Sequence, residues 1–161
     1  MILTTSRKPS RKTRRLAKVL ARFMNWRYMN RGKLSMDDIF EMLENESLAI
    51  INEVKGNPAF LTIFNHKKEI LLRLRFNVGD VNKLKMSRDA VVFRGNPPFD
   101  PLLLEAMPLS KAGLKLTRKV EWRKEVVVKK AGDSYILKFV YDGKPVINLR
   151  VLNVYEGKGR S

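Results

Sequence analysis

The 161-residue chain carries 33 Lys and Arg against 16 Asp and Glu, a formal net charge of +17, and is 44% hydrophobic. Such a chain suits one domain or two small joined halves, large enough to bury a core with neither disulfide nor metal. It has no cysteine, which excludes disulfides, thiolate nucleophiles and Cys-based zinc sites, and no apolar run long enough for a transmembrane helix.

From the N-terminus, Met1–Thr5 (MILTT) is apolar and then β-branched, which predicts a short buried strand. After the turn SRKPS, Pro9 and Ser10 mark a helix start, and the helix runs to about Met24. Its Leu16, Val19, Leu20 and Phe23 recur at i, i+3, i+4 and i+7, the spacing of one buried face. Arg11, Arg15, Lys18 and Arg22 form a second stripe, rotated about 120° from the first. Next come a short aromatic strand around Trp26 and Tyr28, a turn at Gly32, and a second helix. Ser35 caps that helix, Asp37 and Asp38 complement its dipole, and Ile39, Met42 and Leu43 form its apolar face. Ser47–Val54 reads as a buried strand. AFLTIF and EILLRLRF pair through the loop NHKK, and Arg73 and Arg75 alternate with apolar residues, so the second of these strands has one exposed face.

Beyond NVGDVNKLKMSRD the pattern restarts. Ala90–Phe93 is a strand, and Asp100–Met107 is a short helix capped by Asp100 with Pro101 at its first position. Three strands close the chain near Lys119–Lys129, Ser134–Tyr141 and Val146–Tyr155, turned by AGD and YDGKP. Two stretches echo one another: Ile50–Phe60 and Asp89–Phe99 each follow an apolar strand with a basic residue, Gly-Asn-Pro, one residue and Phe. The echo has two readings: a good turn used twice, or a duplicated strand–turn unit in a chain of two related α/β halves meeting near Asp80.

The residues offer little for catalysis. No GxSxG, GxxxxGK[ST], HExxH or GxGxxG is present. The single histidine, His66, falls in a loop beside Lys67 and Lys68, which reads as a solvated side chain rather than a general base. The acid pair Asp37-Asp38 reads as dipole compensation rather than a Mg²⁺ site. No metal, cofactor or small-molecule substrate is expected, and no membrane association.

Binding is better supported. A domain this basic repels itself, and a polyanion relieves the repulsion. Of nucleic acid, an anionic membrane and an acidic protein, the charge favours nucleic acid. Between Met1 and Met36 there are eleven Lys or Arg and no acid. Arg7, Lys8, Arg11, Lys12, Arg14, Arg15, Lys18 and Arg22 line a turn and a helix face beside a possible phosphate-binding helix N-terminus. Arg31 and Lys33 flank Gly32; Lys83, Lys85 and Arg88 make a third group; Arg118, Lys119, Arg123 and Lys124 make a fourth. Trp26, Tyr28 and Trp122 could stack on bases, but read better as core or edge residues. Without an RNP pattern, zinc finger or basic zipper, the surface reads the shape of a folded nucleic acid rather than its bases.

The segments ILTTSRKPSRKTRRLAKVLA, MNRGKLSMDDIFEM and EVKGNPAFLTIF, in that order, resemble the opening of the Brix domain family, whose members act in ribosome assembly and rRNA processing. The resemblance covers roughly the first 65 residues well and the rest in outline, and the chain looks like the minimal archaeal form. It implies a mixed α/β (α+β) fold. Within a single Brix domain of residues 1–161, two similar halves (1–79 and 80–161) would each resemble an anticodon-binding domain, a small mixed sheet with helices packed on it. The family's basic opening corresponds here to Arg7, Lys8, Arg11, Lys12, Arg14 and Arg15, and its Arg-Gly turn to Arg31, Gly32 and Ser35. What this implies is a non-enzymatic, cytoplasmic factor (nucleolar in eukaryotic relatives) bound to precursor or nascent ribosomal RNA, with other ribosome assembly proteins as candidate partners. Two other readings stay open: a module docking an acidic assembly partner, and a DNA-binding architectural protein.

Overall fold

A computed structural model describes residues 1–109 and 122–157. Its elements, in chain order, are β1 (Ile2–Thr5), α1 (Arg11–Met24), β2 (Arg27–Tyr28), α2 (Met36–Met42), β3 (Leu48–Val54), β4 (Asn57–Phe64), β5 (Ile70–Val81) and β6 (Val91–Arg94). A 3-10 turn (Pro101–Leu104), β7 (Met107–Pro108), β8 (Lys124–Ala131), β9 (Ser134–Tyr141) and β10 (Lys144–Glu156) follow. The ten strands described make one mixed sheet in the order β2-β1-β3-β4-β5-β10-β9-β8-β6-β7. From either edge inward the pairings run parallel, parallel, antiparallel, antiparallel, and they meet at the antiparallel pair β5–β10.

Most elements sit where the sequence places them, because local signals and tertiary packing agree. Ser10 caps α1, its Oγ accepting from the Thr13 N–H at 3.3 Å. Ser35 and Asp38 cap α2 reciprocally: the Ser35 N–H donates to Asp38 Oδ2 at 2.9 Å and the Asp38 N–H to Ser35 Oγ at 3.1 Å. The β3–β4 hairpin turns on Lys55 (φ 52°) and Gly56 (φ 78°), two left-handed residues whose twist suits a two-residue loop. In the loop before β5, Asn65 Oδ1 accepts from the Lys67 and Glu69 N–H groups, and His66 is exposed as expected.

Three elements depart from expectation. The helix predicted over Asp100–Met107 is a single 3-10 turn, ended by Glu105 in the left-handed region (φ 59°), after which Met107 and Pro108 pair with β6. β5 runs on through Gly79 and Asp80 to Val81, because β10 supplies partners as far as Ile147↔Val81, so the division expected near Asp80 falls inside a strand. The third departure concerns the Gly-Asn-Pro echo. Its first copy follows β3, whereas its second follows β6, a strand whose two parallel neighbours give it the place of β1. The two copies are therefore not topologically equivalent. The second glycine answers to a local demand: Gly95 has φ 104°, and a Cβ there would lie 2.6 Å from the Val128 carbonyl oxygen. Arg118, Lys119 and the expected strand start at Lys119 lie outside the described residues.

One face of the sheet carries the main core. Leu61, Ile63, Leu72, Leu74 and Phe76 from the first five strands join Phe93, Val126, Leu137, Phe139 and Val151 from the last five beneath α1. Phe23 of α1 meets Phe139 edge-on at 5.3 Å between ring centres. Among the described residues, α1 thus touches strands from both ends of the chain. On the opposite face α2 packs over β1, β3 and the end of β4: Ile39 and Leu43 pack on Ile2, Leu48 and Ile50, and Phe40 meets Phe64 edge-on at 5.6 Å.

Candidate nucleic-acid interface

Amphipathicity divides α1 without remainder. Thr13, Leu16, Ala17, Val19, Leu20, Ala21, Phe23 and Met24 are buried, and every exposed position is Lys or Arg: Arg11, Lys12, Arg14, Arg15, Lys18 and Arg22. No acid stands in the first turn. Burial of the apolar face fixes the helix against the sheet, so these cations project from a rigid element rather than a tail.

The segment after β5 brings a further group alongside. In residues 83–86, Leu84 and Met86 are half-buried against the core while Lys83 and Lys85 are exposed, an alternation that keeps the chain close to α1. The segment is tied down by Asn82, whose N–H donates to the Val146 carbonyl at 2.7 Å, and by Asn25 Nδ2, which donates to the Asp89 carbonyl at 2.7 Å. Lys83 thereby joins Arg11, Arg14, Arg15, Lys18 and Arg22 around one open groove of ≈ 380 Å³, floored by Val19 and lined by no acid. Arg15 also donates to the Val81 carbonyl at 3.0 Å, which positions its guanidinium at the groove's edge. Lys18 Nζ lies 5.9 Å from the centre of the half-buried Tyr28 ring.

The remaining expected cations separate into two kinds. Arg7, Lys8, Lys33, Lys85 and Arg88 are exposed; Arg7 reaches the Leu34 and Lys33 carbonyls only at 3.4 Å, leaving its head at the surface. Arg31 is turned inward. It is 7% exposed and donates to the Thr5 carbonyl (2.9 Å) and the Leu34 carbonyl (2.8 Å), tying the turn to β1, and burial beside Arg7 pulls its pKa down. Its guanidinium is committed to the protein backbone. The fourth basic group is also depleted. Arg123 lies 3.8 Å from the Asp142 carboxylate, which raises its pKa, and Lys124 is fully buried.

Lys124, which composition groups with the surface cations, is instead a structural residue. Its Nζ donates to the Arg22 carbonyl at 3.0 Å and to Asn25 Oδ1 at 2.7 Å, closing the C-terminus of α1 from β8. The signal was present: Lys124, Val126 and Val128 share one strand face, and the last two are core residues. The N-terminus of α1, expected as a phosphate site, is occupied by the protein itself. Glu53 Oε1 accepts from the Ser10 N–H at 2.8 Å and Ser10 Oγ takes the Thr13 N–H. The cations that α1 presents are therefore those along its flank. Trp26 is core, its Nε1 donating to the Leu104 carbonyl at 3.3 Å, so it is not a stacking platform. Of the acid pair, Asp38 is held by its cap and Asp37 pairs with Lys68 at 3.3 Å. Among the described residues, no three His, Asp or Glu side chains gather as a metal would require.

No family model matches the chain. It is 54% identical over 153 residues to a protein of Archaeoglobus fulgidus named a probable Brix domain-containing ribosomal biogenesis protein, the alignment covering 95% of each chain. A protein of the same name from Methanothermobacter thermautotrophicus is 37% identical over 111 residues, 68% of this chain and 70% of its own. Among solved structures, the crystal structure of Mil, an archaeal Imp4-like protein, matches with a TM-score of 0.77 at 26% identity, covering 98% of this chain and 100% of that one. With more than half of its residues shared over nearly the full length of a curated relative, the chain belongs to the Brix domain family.

Proposed function

We propose that this chain is a ribosome biogenesis factor that works by binding rather than catalysis, gripping the phosphates of precursor or nascent ribosomal RNA along the outer face of α1. The observation that carries this reading is the acid-free groove formed by five α1 cations and Lys83. Folded RNA presents phosphates at regular intervals, and Lys and Arg fixed on a rigid helix neutralise them without reading sequence. The protein would hold an rRNA segment in a productive geometry and leave when ribosomal proteins or base pairing replace it. Its relatives' names, ribosomal biogenesis proteins, support the process, and the archaeal source of those relatives supports a cytoplasmic site of action.

The same reading takes residues 1–161 as one domain of two related halves joined at β5–β10. What supports it is the pairing pattern, which repeats from both edges of the sheet.

The test is salt dependence. If about six phosphates are engaged, log Kd against log salt for a structured rRNA fragment has a slope of roughly 4 to 5 in magnitude. Neutralising Arg11, Arg14, Lys18 and Arg22 together flattens that slope by roughly 3. Unchanged affinity and slope would remove α1 from the interface, and equal affinity for duplex DNA of the same length would turn the reading toward a general polyanion binder. In cells, the expected outcome of ultraviolet crosslinking is RNA reads concentrated in a few segments of precursor rRNA, and reads spread over all abundant RNAs would overturn the reading.

A further inference from the structure

Residues 82–90 join β5 to β6 without strand or helix, and a connector of that kind is ordinarily the loosest part of a domain. This one is fixed at both ends. Asn82 holds the start, its N–H donating to the Val146 carbonyl at 2.7 Å and its Nδ2 to the Pro145 carbonyl at 3.1 Å. Leu84 and Met86 then pack against the core. At the far end the Asp89 carbonyl accepts from Asn25 Nδ2 at 2.7 Å, beside the C-terminus of α1. Between these anchors the connector meets the hydroxyl of Tyr141.

Tyr141 ends β9 and is paired on both sides, with Lys124 of β8 and Lys144 of β10, so its ring stands on rigid sheet. The phenol oxygen accepts from the Ser87 N–H at 3.2 Å and lies 3.0 Å from Ser87 Oγ. Ser87 Oγ in turn donates to the Asp89 carboxylate, and Arg123 Nη1 donates to the same oxygen at 3.4 Å. Phenylalanine would pair in the sheet as well; what the hydroxyl adds is a hold on Ser87. What the connector carries is charge. Lys83, Lys85 and Arg88 are exposed, and none makes an ion pair among the described residues. Lys83 already lines the groove beside α1. Cations on a loose connector lose conformational freedom when they meet an anion, which weakens binding; cations already held in place lose little.

We propose that Tyr141 is a positioning residue for the phosphate site: through Ser87 it latches the β5–β6 connector, so that Lys83, Lys85 and Arg88 form a fixed second wall beside the flank of α1. That the phosphate chain is RNA rests on the function proposed above; the latch rests on the connector's own hydrogen bonds. Because Tyr141 carries no charge, the latch governs how the cations are held and not how many there are. Its loss weakens binding without changing the number of phosphates engaged, whereas loss of a connector cation lowers that number.

The experiment uses the whole chain with two ligands, a stable RNA hairpin and inorganic polyphosphate, each titrated over a salt series. The variants are Tyr141→Phe, the triple Lys83→Ser with Lys85→Ser and Arg88→Ser, and the two combined; thermal melts verify folding. In Tyr141→Phe, amide exchange across residues 83–88 should quicken, and affinity for both ligands should fall about three- to tenfold with the salt slope unchanged. The triple variant should flatten the slope by about 0.7–0.9 for each connector cation engaged. In that background Tyr141→Phe should have no further effect on affinity, since the charges it positions are gone. Ser87→Ala, which removes the Oγ contacts from the connector side, should repeat the pattern at smaller size and serves if Tyr141→Phe does not fold. Unchanged exchange, unchanged affinity, or a loss that persists in full in the triple variant overturns the latch. A lower Tm with affinity intact also overturns it, because the hydroxyl would then serve the fold alone. A wild-type protein that binds polyphosphate but not the hairpin counts against the RNA reading, and the latch is then judged on polyphosphate; binding of neither overturns both.

Discussion

Replacing Lys124 with Met tests how the helix that carries the candidate interface is held. Among the described residues, the Lys124 ammonium makes no salt bridge. It is fully buried and donates to Arg22 O and Asn25 Oδ1, and the Arg22 carbonyl is among the last four of α1, which the helix cannot satisfy itself. Met keeps the volume and removes both donors. Each hydrogen bond from a charged group contributes about 1.5–3 kcal/mol, and a cation at a helix C-terminus adds about 0.3–2 kcal/mol. Against these stands relief from burying an ammonium, whose pKa burial holds below the usual lysine value. With the two bonds only partly offset, Lys124→Met should lose about 2–3 kcal/mol, or about 4–12 °C in Tm for a chain of this size. Urea denaturation at equilibrium measures it, and an Asn25→Ala cycle should show strong non-additivity, since one bond is common to both residues. The pH dependence has a definite sign. The unfolded chain binds this proton more tightly than the folded one, so wild-type stability rises relative to Lys124→Met as pH climbs from the depressed folded pKa toward the ordinary lysine value. A Met variant as stable as wild type at neutral pH would mean that desolvation outweighs the bonds, and that α1 is anchored by its apolar face alone.

Other substitutions separate structure from binding. Arg31→Met should lower stability by about 2–4 kcal/mol through its lost bonds to Thr5 and Leu34, while folded protein keeps its hairpin RNA affinity; a loss of affinity without loss of stability would return Arg31 to the interface. Gly95→Ala combines a left-handed backbone with a Cβ 2.6 Å from Val128 O, and a thermal melt should show a loss of at least about 1–3 kcal/mol. The Asp38 carboxyl is held below the usual carboxylate range by the Ser35 N–H and hydroxyl. Its contribution is present at neutral pH and disappears as pH falls through the folded pKa, so Asp38→Ala should be less stable than wild type at pH 7 and converge with it in strong acid.

How much of this was legible depended on whether the deciding signal was local. Ser10, Leu16 and Phe23 announce α1 within one segment, and Ser35 with Asp38 announce α2, so both helices and their caps could be read directly. The extent of β5 could not, because Gly79 and Asp80 look like a linker until β10 lies beside them. Nor could the sheet order, since β5–β10 joins strands more than sixty residues apart and no short motif encodes it. The basic surface was legible as a total but not as a place. Arg14 and Lys18 face solvent, whereas Arg31 and Lys124 have the same chemistry and face inward, one toward carbonyls of β1 and the turn, the other toward the end of a helix a hundred residues earlier. Charge counts cannot separate these cases; partners can.

The charge that equips α1 for phosphates also works against α1 when no phosphate is bound. Arg11 and Arg15, Arg14 and Lys18, and Lys18 and Arg22 are like-charged neighbours at i, i+4, and Arg11 and Lys12 oppose the dipole in a first turn with no acid. The helix persists because Leu16, Leu20 and Phe23 are buried beneath it. Stability and binding should therefore respond oppositely to the same change. Arg14→Glu converts its repulsions with Arg11 and Lys18 into attractions, and each such pair is worth about 0.2–0.5 kcal/mol in either sense. The free protein should gain about 1 kcal/mol, near 2–4 °C in Tm at low salt, while losing structured RNA because one groove cation becomes an acid. Added salt should raise the wild-type Tm more than that of Arg14→Glu, by screening repulsions the variant lacks, even as it weakens RNA binding. If Arg14→Glu destabilises the protein at low salt, residue 14 is held by partners rather than repelled by neighbours. The cations of α1 would then serve the fold first, and an interface built on them would have to be sought elsewhere on the molecule.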